Sequence, residues 1–116
     1  MRAIRSNGAQ AGISLVLDTP LTSIQSLVAS HEVDMVQVMS IARIGVQGSR
    51  FDDRAYERIR ALRAQFPELP IAVDGGVAQD NAALLVAAGA THLGVGSAIV
   101  KSPDPAAAYE EICATL

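Results

Sequence analysis

Seven residues, Ile71-Ala72-Val73-Asp74-Gly75-Gly76-Val77, restrict the possible folds of this chain more than any other segment. Apolar residues lead into one carboxylate, two adjacent glycines follow, and a helical pattern opens near Gln79. A buried parallel strand ends this way when its C-terminal tip faces a ligand. The apolar residues pack on both faces of the sheet, the carboxylate stands at the rim, and the glycines let backbone N–H groups approach an anion. Leu93-Gly94-Val95-Gly96-Ser97 ends in a similar way without the carboxylate. Together the two endings point to chemistry on a small phosphorylated molecule.

The rest of the chain repeats a strand–helix unit. Residues 13–17 and 35–39 read as the first two strands, 71–73 as the third and 93–95 as the fourth. Thr19-Pro20 reads as a cap and first-turn proline for a helix lined by Leu21, Ile24, Leu27 and Val28. A polar, glycine-containing loop over residues 40–52 precedes a helix that runs to about Gln65, with Ala55, Ile59 and Leu62 at helical spacing. A third helix over 79–88 should stop at Gly89 in a left-handed position, and a fourth covers 104–114. Strands buried on both faces with helices between them make a parallel sheet with right-handed crossovers. Functional groups should then gather at the C-terminal strand ends: Asp18, Ser40, Asp74 and Gly96.

Four units are half of the eight in a closed barrel, which typically needs about 250 residues. Residues 1–116 therefore read as one domain, half of a barrel, with residues 1–6 resembling the tail of a preceding helix. An open four-stranded sheet would leave two bare edges. Either another half-barrel lies outside this chain, or copies of the chain self-associate to complete each other.

Composition removes several alternatives. Half of the 116 residues are hydrophobic and only 3% are aromatic, which suits an aliphatic core of alternating strands and helices. Nine basic residues against 12 acidic ones, a net charge of -3, give no electrostatic basis for binding nucleic acid. Arg54, Arg58, Arg60 and Arg63 are interleaved with Asp52, Asp53 and Glu57 and read as a solvated helix face. Cys113 is the only cysteine, so neither an intrachain disulfide nor a CxxC site can form. Its place in a stripe with Tyr109, Ile112 and Leu116 reads as packing. No run approaches the roughly 20 apolar residues that cross a bilayer, and the first residues lack the apolar core of a secretory leader. A cytoplasmic protein without a membrane partner is the expectation.

With the strand ends in place, the chain resembles the C-terminal half of the ribulose-phosphate 3-epimerase family of TIM-barrel enzymes. Four segments in order carry the resemblance: Ala11-Gly12-Ile13-Ser14-Leu15-Val16-Leu17-Asp18-Thr19-Pro20-Leu21; Val36-Gln37-Val38-Met39-Ser40 with Gly45, Gln47, Gly48 and Phe51 beyond it; Val73-Asp74-Gly75-Gly76-Val77 with Asn81; and Gly94-Val95-Gly96-Ser97-Ala98-Ile99-Val100-Lys101 followed by Asp104-Pro105-Ala106. The second segment departs from the family pattern. Ile41-Ala42-Arg43-Ile44-Gly45-Val46-Gln47-Gly48-Ser49 stands where the family has an Asn-Pro-Gly turn. Arg43 there is either a phosphate contact or a surface cap.

The resemblance implies an isomerase of carbohydrate (pentose phosphate) metabolism that interconverts D-ribulose 5-phosphate and D-xylulose 5-phosphate. Such an epimerisation needs a base and an acid on opposite faces of the carbon, and stabilisation of the enediolate between the two steps. It implies Asp74 as one catalytic carboxylate and as a metal ligand, with Gly75, Gly76, Gly96 and Ser97 holding the phosphate. Met39, Ser40 and Gly48 are candidates for the substrate loop. A divalent zinc, iron, manganese or cobalt ion is expected in the complete enzyme, whose histidine ligands and second carboxylate come from strands outside this half. Neither His31 nor His92 matches them. Asp74 as a cap of its own glycine turn is the structural alternative for that residue. Two alternatives for the whole chain are another phosphate-binding barrel enzyme of the hexulose-phosphate lyase type and a non-catalytic phosphate-binding or assembly module.

Overall fold

The computed structural model describes residues 1–41, 45 and 50–116. Strands β1 (Gly12–Leu15), β2 (Met35–Met39), β3 (Ile71–Asp74) and β4 (His92–Gly94) lie side by side in chain order in one parallel sheet. Helices α1 (Arg2–Ser6), α2 (Thr22–Ala29), α3 (Arg54–Gln65), α4 (Ala82–Ala88), α5 (Ser97–Val100) and α6 (Pro105–Ala114) precede, connect and follow them. This is an α/β half-barrel of four βα units. Across the sheet, Ser14 pairs with Gln37, Gln37 with Ala72, and Ala72 with His92. One pleat further along, Met39, Asp74 and Gly94 form the next row.

The two faces of this sheet differ. Leu15, Val36, Val38, Ile71 and Val73 are buried beneath the helices, against Ile24 and Val28 of α2, Ala55, Ile59 and Leu62 of α3, and Leu85 of α4. Each such side chain, fully buried, contributes about 1.5–3 kcal/mol. The residues between them, Ser14, Gln37, Met39, Ala72, Asp74 and His92, lie on the other face and are half-buried or exposed. Burial on both faces, expected from the apolar runs, is therefore corrected to burial on one. The uncovered face corresponds to the inner wall of a barrel, and among the described residues no strand supplies an opposite wall.

Several boundaries shift for local reasons. Thr19-Pro20 forms a turn rather than a cap. The Thr19 N–H donates to the Val16 carbonyl, and Ser23 donates to the Pro20 carbonyl through both its N–H and its hydroxyl, so α2 starts at Thr22. The third connecting helix begins at Ala82 because Asn81 ties down the turn before it. It stops at Gly89, whose φ of 128° needs no side chain and whose Cβ position is taken by Arg63. Asp104 caps α6, its Oδ1 accepting the Ala107 N–H at 3.1 Å ahead of the first-turn Pro105.

The arginine face of α3 is less solvated than its charge pattern suggests. Arg63 donates to the carbonyls of Phe66, Pro67 and Gly89, joining the ends of α3 and α4. Among the described residues, the buried Nε and Nη2 atoms of Arg58 have no hydrogen-bond partner, and burial pushes its pKa down against the attraction of Asp18. The α6 stripe also divides. Ile112 enters the core, whereas Tyr109, Cys113 and Leu116 are exposed, and a hydrogen bond to Cys113 pushes the Tyr109 pKa up. No helix among the described residues is long and apolar enough to cross a membrane.

Candidate functional site at the C-terminal strand ends

Asp74 is the last residue of β3, on the uncovered face, and its side chain is exposed. Gln37, Ala72, His92, Gly94 and Gly96 line the same open concavity of about 430 Å³. The pleat aims Asp74 there: Ile71 and Val73 point to the helices, so Ala72 and Asp74 point the other way. Gly94 stands directly opposite, and a Cβ at that position would lie 3.1 Å from Asp74 Oδ1. The carboxylate thus occupies space that a larger residue would close.

Among the described residues, the Asp74 carboxylate does not cap the glycine turn. Asn81 does, with Oδ1 accepting the Ala78 N–H and Nδ2 donating to the Gly76 carbonyl, both at 2.9 Å. The role that would have made Asp74 structural is filled by another side chain. Asn81 was legible as part of the third motif, but its function in the turn was not.

The phosphate candidates separate into two pairs. Gly75 and Gly76 have φ of 111° and 66°. A Cβ on Gly75 would meet the Ile41 side chain at 2.6 Å, and one on Gly76 would meet the Phe51 backbone at 2.7 Å. These glycines let β3's turn pack against the ends of the loop after β2, where Ile41 and Phe51 form an antiparallel bridge. Gly96 differs: among the described residues nothing lies within 4 Å of its Cβ position, and it lines the Asp74 concavity. Ser97, half-buried, begins the short α5.

The β2 candidates also take distinct positions. Met39 flanks Asp74 on the open face, and its sulfur accepts a hydrogen bond from Gln37 Nε2 at 3.2 Å. Ser40 is fully buried, its hydroxyl directed to the carbonyls of Asp74 and Gly75. It holds the rim in shape from behind. Gly48 and Arg43 lie outside the described residues.

Elsewhere, Asp18 accepts from Arg54 Nη1 at 3.1 Å on the surface. His31 takes a left-handed φ of 58° just past α2, in a hollow with Arg5 and Asp34 at the opposite end of the strands. His92 opens β4 rather than preceding it. It is exposed on the open face, one row below Asp74. The strand began one residue earlier than its apolar core indicated, which places this histidine inside the concavity. Asp74 is a suitable ligand for a hard divalent ion. Among the described residues, however, no group of three or more His, Cys, Asp or Glu side chains is placed to hold one. They do not by themselves make a metal site.

Successive parallel βα units with a carboxylate and glycine turns at their C-terminal rim place the chain in the TIM-barrel superfamily of phosphate-binding enzymes. More specifically, the sequence pattern described as the ribulose-phosphate 3 epimerase family matches residues 1–100, and the chain belongs to that family. It is similar to the cytoplasmic isoform of ribulose-phosphate 3-epimerase from Oryza sativa subsp. japonica, with 34% identity over 106 residues, covering 90% of this chain and 46% of the relative. It is also 37% identical over 116 residues to the chloroplastic ribulose-5-phosphate-3-epimerase of Arabidopsis thaliana, covering 97% of this chain and 40% of that one. The chain spans about half the length of the curated relatives it matches. Its fold superposes on 3-hexulose-6-phosphate synthase from Salmonella typhimurium with a TM-score of 0.76 at 23% identity, covering 99% of this chain and 53% of that structure.

Proposed function

We propose that this chain is the C-terminal half of a sugar-phosphate epimerase barrel acting on D-ribulose 5-phosphate and D-xylulose 5-phosphate. One observation carries the reading: an exposed strand-end carboxylate, Asp74, shares an open concavity with the unobstructed Gly96. A phosphate seated on the backbone at Gly96 and Ser97 would hold the substrate's carbon chain across the rim. Asp74 would then take a proton from the carbon beside the carbonyl, or return one to it. Inversion also needs an acid on the opposite face, which a complete barrel would have to supply. A divalent ion in the complete enzyme would likewise need ligands beyond the described residues.

The direct test is Asp74→Asn in a complete barrel containing this half. Epimerisation should fall by about 10²–10⁴-fold, the usual contribution of a positioned proton-transfer group. The fold should persist, because the side chain is exposed. Near-normal turnover would overturn the role. A second reading, a hexulose-phosphate lyase, keeps the same phosphate anchor and uses the rim to stabilise an enediolate left by C–C cleavage. The superposition on the Salmonella structure favours testing it. Inversion at one carbon supports the first reading, and release of an aldehyde the second. Phosphate-ester binding without turnover would indicate the non-catalytic alternative.

A further inference from the structure

We propose that Gln37 and His92 read the hydroxyl-bearing carbon chain of the substrate beneath the carboxylate of Asp74. Their role rests on the sugar-phosphate function above, and it supplies the part of the site that tells a ketose phosphate from phosphate alone. In a closed barrel of βα units, inward side chains pack in layers dominated by bulky valine, isoleucine and leucine. The row Ser14, Gln37, Ala72 and His92 contains none of these. Alternation along the strands sets their direction, because Val36, Val38, Ile71, Val73 and Leu93 are turned to the helices. That direction is a property of each strand and holds whatever faces the sheet.

Ala72 stands in register between Gln37 and His92. Neighbouring strands lie about 4.8 Å apart, so the two polar side chains start about 10 Å apart with only a methyl group between them. The gap opens toward Asp74, one row further along β3 and about 6.6 Å away. Gly94, in register with Asp74, adds no side chain that would close it. Gln37, Asp74, His92 and Gly96 line one concavity. A carbon chain anchored by its phosphate at Gly96 therefore has both polar groups within its reach.

The hydrogen bonds inside the chain leave these groups available. Gln37 gives an N–H to the Met39 sulfur at 3.2 Å, a weak acceptor, and among the described residues its amide oxygen has no partner. His92 Nδ1 lies 2.9 Å from the Thr91 hydroxyl, which is itself bonded to the N–H and the carbonyl of Ile71. One ring nitrogen is thus tied to the start of β3, and among the described residues Nε2 is left to meet a ligand. An amide that donates and accepts, and a ring nitrogen that does either, match hydroxyls, which do both. Aliphatic side chains would fill this layer without needing partners, whereas polar ones in a closed site cost stability until a ligand bonds them.

His92→Leu and Gln37→Leu bring in the residue type that ordinarily fills such a layer, so both variants should fold with an unlowered urea midpoint. In calorimetric titrations of a complete barrel containing this half, each should weaken ribulose 5-phosphate by about threefold to tenfold, the net value of one hydrogen bond. Affinity for inorganic phosphate should stay the same. Ala72→Val, which fills the gap, should also weaken ribulose 5-phosphate. In nitrogen NMR spectra of the ring, the His92 Nε2 signal should move on addition of ribulose 5-phosphate and stay in place with inorganic phosphate.

Unchanged ribulose 5-phosphate affinity in both leucine variants would overturn the inference, and so would a loss of phosphate affinity in step with it. A lowered urea midpoint in both would assign the polar row to the fold and overturn it as well. Failure of the proposed reaction looks different. A barrel that binds ribulose 5-phosphate through His92 and Gln37 without epimerising it counts against the reaction and supports the hydroxyl contacts, whereas a parent barrel that does not bind ribulose 5-phosphate overturns both.

Discussion

Ser40 grips the carbonyl of Asp74 twice: its backbone N–H donates at 2.8 Å and its hydroxyl oxygen lies at 3.0 Å. The same hydroxyl reaches the Gly75 carbonyl, and the Ser40 carbonyl accepts the Asp52 N–H at 2.8 Å. One fully buried residue thus joins the ends of β2 and β3 to the start of α3, through its backbone and its hydroxyl together. The orientation of Asp74 depends on that junction, because its main chain is held from the interior while its side chain is exposed.

Ser40→Ala should therefore destabilise the chain by about 1–3 kcal/mol, because the Gly75 carbonyl loses the hydroxyl and the Asp74 carbonyl keeps only the backbone N–H. Urea unfolding monitored by circular dichroism measures it directly. A change below about 0.5 kcal/mol, the range of ordinary surface substitutions, would show that the backbone N–H alone secures the junction.

The glycines of the two rim turns should respond in opposite ways. Gly76→Ala places a methyl against the Phe51 backbone and keeps a φ of 66°, so a loss of about 1–3 kcal/mol is expected. Gly96→Ala meets open space and should stay within about 0.5 kcal/mol. Gly96→Asp then tests phosphate binding without damage to the fold: calorimetric titration with ribulose 5-phosphate should show weakened affinity. Unchanged affinity would mean that Gly96 serves the turn alone.

Acid stability should report on Asp52. Hydrogen bonds from the Arg54 side chain, then from its backbone N–H, hold the Asp52 carboxyl below its ordinary value. Because the folded pKa is the lower one, this contribution is fully present above the unfolded value of about 3.9. It is lost as pH falls below that value and through the folded one. Asp52→Asn should flatten the stability profile below about pH 4 and leave its slope at neutral pH unchanged. An unaltered acid limb in urea titrations would exclude Asp52 as a contributor.

Much of the architecture was legible because local rules and tertiary demands coincide. Ile59 and Leu62 recur at helical spacing and are fully buried, and Gly89 ends α4 at positive φ as its position implied. Boundaries failed where a side chain competed with the helix: Asn81 delayed α4, and the Pro20 turn delayed α2. His92 was misplaced because a three-residue strand carries too little pattern to mark its first residue.

The sequence by itself determined the number and order of the βα units, the C-terminal placement of Asp74, and the need for glycine at its turn. Each follows from a period, a backbone dihedral or a strand terminus, all properties of neighbouring residues. Only the tertiary structure decided which sheet face stays uncovered, that Asn81 rather than Asp74 caps the turn, and that Ser40 works from behind the rim. It also decided that Gly76 is filled by contact while Gly96 is open. Those outcomes depend on what distant segments bring into contact: Phe51 against Gly76, and β2's end against β3's. One-dimensional patterning carries no record of such distances.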